Sequence, residues 1–341
     1  MKKRGLAIVL AAALLAGCGG NEGKEPAETA GASASGTGAP SSQPAQTEAA
    51  NAAQEVRYEA GQIRQALLDG DYENVYAQFT EDFQKEISLS DFREAVQSFS
   101  EGVETWVPHT GFEVNGGQYV TWKDQGGKRG LIVTMDDGNR ISGLRLVNVG
   151  SFPETDKAKT KLAYGLPFKG EWFVFWGGAN VLANYHYEFE SQRYAYDFIQ
   201  VKDGYSYKGD PARNESYYAF GQEVVAPQDG KVVQVVNDVE DNEPVGAMNE
   251  RQPAGNMVVI DHGNGEYSVL AHLKKGSVTV NVGDRVSKGD PIGLCGNSGN
   301  SSEPHLHYQV SDSPDPFAGK SVRVQWEDGL ELVQGDAAKG R

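Results

Sequence analysis

The chain has 341 residues, enough for about two domains at the usual ~100–200 residues each. Its 47 acidic and 31 basic side chains leave a formal charge of −16, which argues against nucleic acid as a partner, because phosphate recognition needs clustered Lys and Arg. The same balance argues against adhesion to an anionic bilayer by charge alone.

Lys2, Lys3 and Arg4 precede an apolar run from Gly5 to Leu14 that is too short to span a bilayer comfortably. The run ends in Leu15-Ala16-Gly17-Cys18, and small residues directly before a cysteine resemble a bacterial lipobox. That resemblance makes residues 1–18 a lipoprotein signal peptide and Cys18 the lipidated first residue of the mature protein. Its acyl chains would anchor the exported chain at the outer face of the cell membrane. An ordinary secretory signal that ends near a cysteine is the alternative. Cys295 is then left without a partner and reads as a small buried apolar residue. Residues 19–54 are dominated by Ala, Gly, Ser, Thr, Pro, Glu and Gln with no aromatic side chain. Such a segment cannot bury enough apolar surface to offset its ordering entropy, so it reads as a disordered tether.

Tyr72, Val75, Tyr76 and Phe79 fall at helical spacing, as do Phe92, Ala95, Val96 and Phe99. Ser88 and Ser90 are plausible caps for the second run. Strand-like segments follow at 118–122, 131–135 and 141–149, with Asp137-Gly138 as a hairpin signal between the last two. Helices followed by a meander predict a small α+β domain over 55–155. It looks somewhat like the nuclear-transport-factor-like domains that precede peptidases in some bacterial lipoproteins. His109 stands alone in what reads as a Pro-rich turn and offers no site.

Residues 161–335 read as all-β, with short strands and glycines at nearly every joint. Five of the six histidines lie here. In Pro304-His305-Leu306-His307-Tyr308-Gln309, strand alternation puts His305, His307 and Gln309 on one face and the apolar residues on the other. Asp197 interrupts an apolar strand, and an ionised carboxylate there needs a cation or several donors; Arg193 or a turn amide could serve. His186 sits between tyrosines upstream, and His272 near the end of a strand downstream. His262 lies beside the Asn264-Gly265 turn and reads as scaffold. The Gly-Asn-Ser-Gly-Asn-Ser run at 296–301 lacks the lysine of a phosphate loop and reads as a flexible groove wall.

Asp197, Ala226-Pro227, Asn256 to Gly265, Ala271-His272-Leu273, Val282 to Gly293 and Pro304 to His307 together resemble the lysostaphin-like (LytM-type) zinc endopeptidases of the cell wall. The resemblance implies an antiparallel β domain with an open groove, a bound Zn2+ and peptidoglycan as substrate. It makes Asp197 and His307 zinc ligands and His272 and His305 the catalytic pair, one acting on water and the other on the oxyanion and leaving amine. The family's histidine four residues before the aspartate is replaced by Arg193, so His186 is the expected third ligand, brought back to the metal by an enlarged loop over 187–194. A catalytically inactive wall-binding regulator with the same fold is the alternative. The segment from Val239 to Gly255 is expected to wall the groove. Whether a protein activator is needed is unknown.

Overall fold

The computed structural model describes residues 56–341. The signal peptide, the lipidation at Cys18 and the tether over 19–54 lie outside these residues. Among the described residues no helix is long and apolar enough to cross a membrane.

Four helices come first: α1 (Ala60–Leu68), α2 (Tyr72–Ala77), α3 (Glu81–Glu86) and α4 (Leu89–Phe99). Of the two serines expected as caps, Ser88 takes the role: its hydroxyl accepts from the Asp91 amide at 3.2 Å and satisfies a donor that has no partner within α4. Strands β1 (Trp106–Val114), β2 (Gly117–Asp124), β3 (Arg129–Met135) and β4 (Ile141–Asn148) form an antiparallel meander in chain order. Ile63, Phe79 and Phe92 from the helical region share one buried core with Trp122, Leu131 and Val133 of the sheet. His109 lies in β1 and not in a turn, with Nε2 3.1 Å from Asn180 Oδ1. The neighbouring Pro108 misled because β1 is an edge strand, where a missing ladder donor is tolerated, and the β1–β2 register shifts between Pro108 and Gly111.

After a short helix, α5 (Pro153–Lys157), the chain is β: β5 (Lys159–Tyr164), β6 (Gly170–Trp176), β7 (Tyr196–Ile199), β8 (Glu223–Val225), β9 (Gly230–Val236) and β10 (Asn256–Asp261). Then come β11 (Tyr267–Leu273), β12 (Arg285–Val286), β13 (Pro291–Leu294), β14 (Leu306–Ser311), β15 (Ser321–Trp326) and β16 (Ala337–Gly340). The main sheet runs β12-β9-β10-β11-β14-β7-β6-β16, with β15 attached to β14 and β5 pairing β15 in parallel; β8 and β13 form a separate pair. Every other pairing is antiparallel. One face of this sheet buries Phe198, Leu270, Leu306 and Tyr308 in the main core. The opposite face, at β7, β14 and β11, carries the polar cluster described next.

Candidate active site

Register assembles the site. Across the β14–β7 pair His307 stands opposite Asp197, and across β11–β14 it stands opposite Ala271. Paired residues share a face, so Asp197, His307 and Ala271 point one way while Leu270, Tyr308 and Phe198 point to the core. By the same alternation His272 should point into the core. It does not, because the β10–β11 register slips between Asn256 and Val258, giving β11 one extra residue. His272 takes up the slack with φ +60, a left-handed backbone conformation rare for a non-glycine residue. This bulge turns its ring to the site, 4.7 Å from the His305 ring and 5.7 Å from the His307 ring, centroid to centroid. His305 sits one residue before β14, on the His307 side of the alternation.

His186 arrives from a 3-10 turn, Tyr185–Glu188, in the loop between β6 and β7. The following residues fold back so that His186 Nε2 lies 3.5 Å from Asp197 Oδ2. On the other carboxylate oxygen, His307 Nδ1 lies 2.9 Å and His305 Nε2 3.7 Å from Asp197 Oδ1. Arg193 does not pair with Asp197; its Nε donates to the Tyr187 carbonyl and its guanidinium sits 3.4 Å above the Phe152 ring. His262 is away from the cluster, bonded to the Asp229 carbonyl and to Ser268.

The other nitrogen of each clustered imidazole is held by a fixed oxygen acceptor. Asn184 donates its amide N–H groups to the Gly178 and Ala195 carbonyls, so its Oδ1 must be what meets His186 Nδ1 at 2.8 Å. Gln309 donates to the Ser191 carbonyl, so its Oε1 faces His307 Nε2 at 3.0 Å. His272 Nδ1 donates to the Ser298 carbonyl and His305 Nδ1 to the Glu303 carbonyl, both at 2.8 Å. An imidazole that donates from one nitrogen is, when neutral, an acceptor at the other. In the neutral forms, then, four lone pairs converge near one buried carboxylate.

That arrangement is repulsive unless positive charge lies within it. Burial alone would raise the Asp197 pKa, but His186, His305 and His307 outweigh it and hold the carboxyl far below the usual range. Burial likewise drives His186 down to about 3, and His272 well below its ordinary value. His307 goes the other way: burial is outweighed by the hydrogen bond and charge of Asp197, so this ring takes a proton when no cation is present. His186, Asp197 and His307 offer three donor atoms within 4.8 Å of one another, all buried. Donors on a tetrahedral zinc at 2.0–2.2 Å would lie about 3.4 Å apart, close to the 3.5 and 2.9 Å found here. The donor set, two neutral nitrogens and a carboxylate, fits that ion.

Comparison with known proteins bears on this cluster. The model of peptidase family M23 matches residues 216–322. This segment belongs to peptidase family M23. The M23 match contains His272, His305 and His307 but begins after His186 and Asp197, so the remaining two donors come from strand and loop upstream of it. Over 57 residues the chain is 49% identical to a Vibrio cholerae protein named peptidoglycan DD-endopeptidase ShyA, covering 17% of this chain and 13% of that one. It is 34% identical over 74 residues to the murein hydrolase activator EnvC of Escherichia coli, covering 20% of this chain and 17% of that one. The chain thus spans less than a fifth of either relative. A solution structure of lysostaphin aligns at 25% identity over 34% of this chain and 35% of that chain, with a TM-score of 0.22.

Around the cluster, the segment expected to wall the groove contributes Val245, Met248 and Glu250 on one side and Pro253 and Ala254 on the other. The run at 296–301 is not a flexible wall: Asn297, Ser298 and Ser301 are fully buried and bonded to Asn214, Leu273 and the Glu303 carbonyl. Its glycines permit close approach, since a Cβ on Gly299 would meet the Gly255 nitrogen at 2.4 Å. Two residues that sequence reading left without a role now have one: Asn184 and Gln309 each orient a ring. For Gln309 a signal existed, its place on the same strand face as His307.

Proposed function

We propose that this chain is a zinc-dependent endopeptidase that hydrolyses peptide cross-links or stem peptides of peptidoglycan. The observation that carries the reading is the cluster of four imidazoles at Asp197. Nitrogens of His186, His305 and His307 lie 2.9 to 3.7 Å from its carboxylate, His272 lies against the rings of His305 and His307, and each ring is held by an oxygen acceptor behind it. His186, Asp197 and His307 would hold the ion. When bound there, zinc would polarise a scissile carbonyl and lower the pKa of water toward about 7. His272 and His305, each held through Nδ1 by a backbone carbonyl, would take the proton of the attacking water and pass one to the leaving amine. Burial of His186, Asp197 and His307 lowers the local dielectric, which strengthens each of these interactions. The similarity to ShyA supports peptidoglycan as the substrate. We further propose export with a lipid anchor at Cys18, and two folding units over 55–155 and 161–335.

The test is release of muropeptides from purified peptidoglycan by the zinc-loaded protein lacking residues 1–50, beside His186→Ala and His307→Ala. New peptide termini from the parent alone are expected. Release that survives His186→Ala but not His307→Ala would keep the enzyme and remove His186 from the ligand set. A folded, zinc-bound protein that releases nothing would leave the wall-binding regulator as the reading.

A further inference from the structure

A cavity of about 260 Å3 opens beside Asp197 and His305. Trp176, Tyr185 and Tyr217 wall it, and its carboxylates are Glu303, the exposed Glu250 and, at the metal-site end, Asp197. Among the described residues no Lys or Arg lines it. Glu303 is two residues from His305, whose Nδ1 donates to the Glu303 backbone carbonyl at 2.8 Å, so the two residues share one held stretch of backbone. Ser206 Oγ donates to Glu303 Oε2 at 3.3 Å, which leaves most of the acceptor capacity of the carboxylate for a ligand. Ser206 is in turn set by the β1–β2 turn: Asn115 Nδ2 donates to Ser206 Oγ at 2.9 Å, and Asn115 Oδ1 accepts from the Ser206 amide at 2.8 Å. Burial pushes Glu303 up to about 7 against the pull of Ser206, the cost of a carboxylate in this place without a cation.

From this geometry we infer that the cavity binds a protonated amine of the substrate, with Glu303 as its counter-ion, and so selects a peptide bond flanked by that amine. Aromatic faces around a carboxylate suit an ammonium group twice over, through cation–π attraction and a charge-assisted hydrogen bond. Glu303 is a specificity residue, and Asn115 and Ser206 position it. The substrate class rests on the endopeptidase reading; the amine selectivity is read separately below. The amine has two chemical sources, a peptide N-terminus or a side chain, and both share the chemistry of the cavity.

The experiment is co-sedimentation of the zinc-loaded full chain with three peptidoglycan preparations at low temperature: native, N-acetylated and reductively N,N-dimethylated. Acetylation removes the positive charge, whereas dimethylation keeps it. The parent protein should bind acetylated wall about tenfold more weakly than native wall, and dimethylated wall nearly as well as native. Glu303→Gln should bind native and acetylated walls alike. Competition with alaninamide or with N-acetyl-lysine amide names the source, the N-terminal or the side-chain amine. Equal binding of the parent to native and acetylated walls overturns the inference, and that readout needs no variant. Release of new peptide termini is followed in parallel after warming. Amine-dependent binding without release would sink the endopeptidase reading and leave the amine site standing; release insensitive to acetylation would do the reverse.

Discussion

At the scale of single residues, the site depends on oxygen atoms behind the rings as much as on the rings themselves. Gln309 accepts through Oε1 from His307 Nε2 at 3.0 Å and so leaves Nδ1 as the nitrogen turned to Asp197. Its own orientation is set by the bond it donates to Ser191. Removing such a partner from a metal-ligating histidine costs about 10–100-fold in metal affinity or activity. Gln309→Ala should therefore weaken zinc binding by that factor while the fold persists, measured by titration against a chromophoric chelator. Affinity equal to the parent would show that packing alone orients His307.

At the scale of elements, β11 shows where sequence patterns stop. Alternation along β14 placed His305, His307 and Gln309 on one face from spacing alone, and the register sets Asp197 of β7 opposite His307 on that face. Alternation failed at His272, because one extra residue in β11 and a left-handed φ redirect a side chain that the pattern assigns to the core. It failed also at β1, hidden by Pro108. Bulges and edges depend on the partner strand, which local sequence does not display. The bulge is testable: His272→Gly and His272→Ala lose the same ring, and only alanine keeps the left-handed penalty. The glycine variant should be more stable than the alanine variant by about 1 kcal/mol in denaturant unfolding. The β2–β3 turn allows a pH test. Burial would raise Asp124, but the Arg129 and Lys128 amides and the Arg129 guanidinium outweigh it, so its folded pKa lies below the ordinary 3.8. A lowered carboxyl pKa contributes stability above the unfolded value and loses it as pH falls through the folded one. Asp124→Asn should thus destabilise the protein at neutral pH and lessen its further loss below pH 3.8, as read from unfolding midpoints across pH.

At the scale of the whole molecule, the helical and four-stranded part bears on the loop that carries His186. Tyr119 and Ile132 of the N-terminal sheet share a buried cluster with Val181, Leu182, Tyr187 and Tyr194 from the β6–β7 connection. Tyr119 Oη donates to the Leu182 carbonyl at 3.2 Å, and His109 meets Asn180, whose Oδ1 also accepts from the Leu182 and Ala183 amides. The connection around His186 has no place in the main sheet, and packing against β2 and β3 adds to the bonds from Asn184, Asp156 and Gln309 that seat it. Gly130 of β3 lies directly against this loop: a Cβ added there would stand 2.5 Å from Leu182 Cδ2. Gly130→Ala should shift the loop away from the sheet, draw His186 off Asp197 and lower zinc affinity, with the fold retained by two separate cores. Gly61→Ala, in α1 with open space around its Cβ position, is the matched control and should leave zinc affinity unchanged. The measurement is zinc affinity by chelator competition for both variants. An unchanged value for Gly130→Ala would mean that Asn184 and the loop's own turns hold His186 without help from the N-terminal sheet. A selective loss would make the N-terminal sheet a structural part of the metal centre, and a peptidase lacking it would then be expected to bind zinc poorly even when folded.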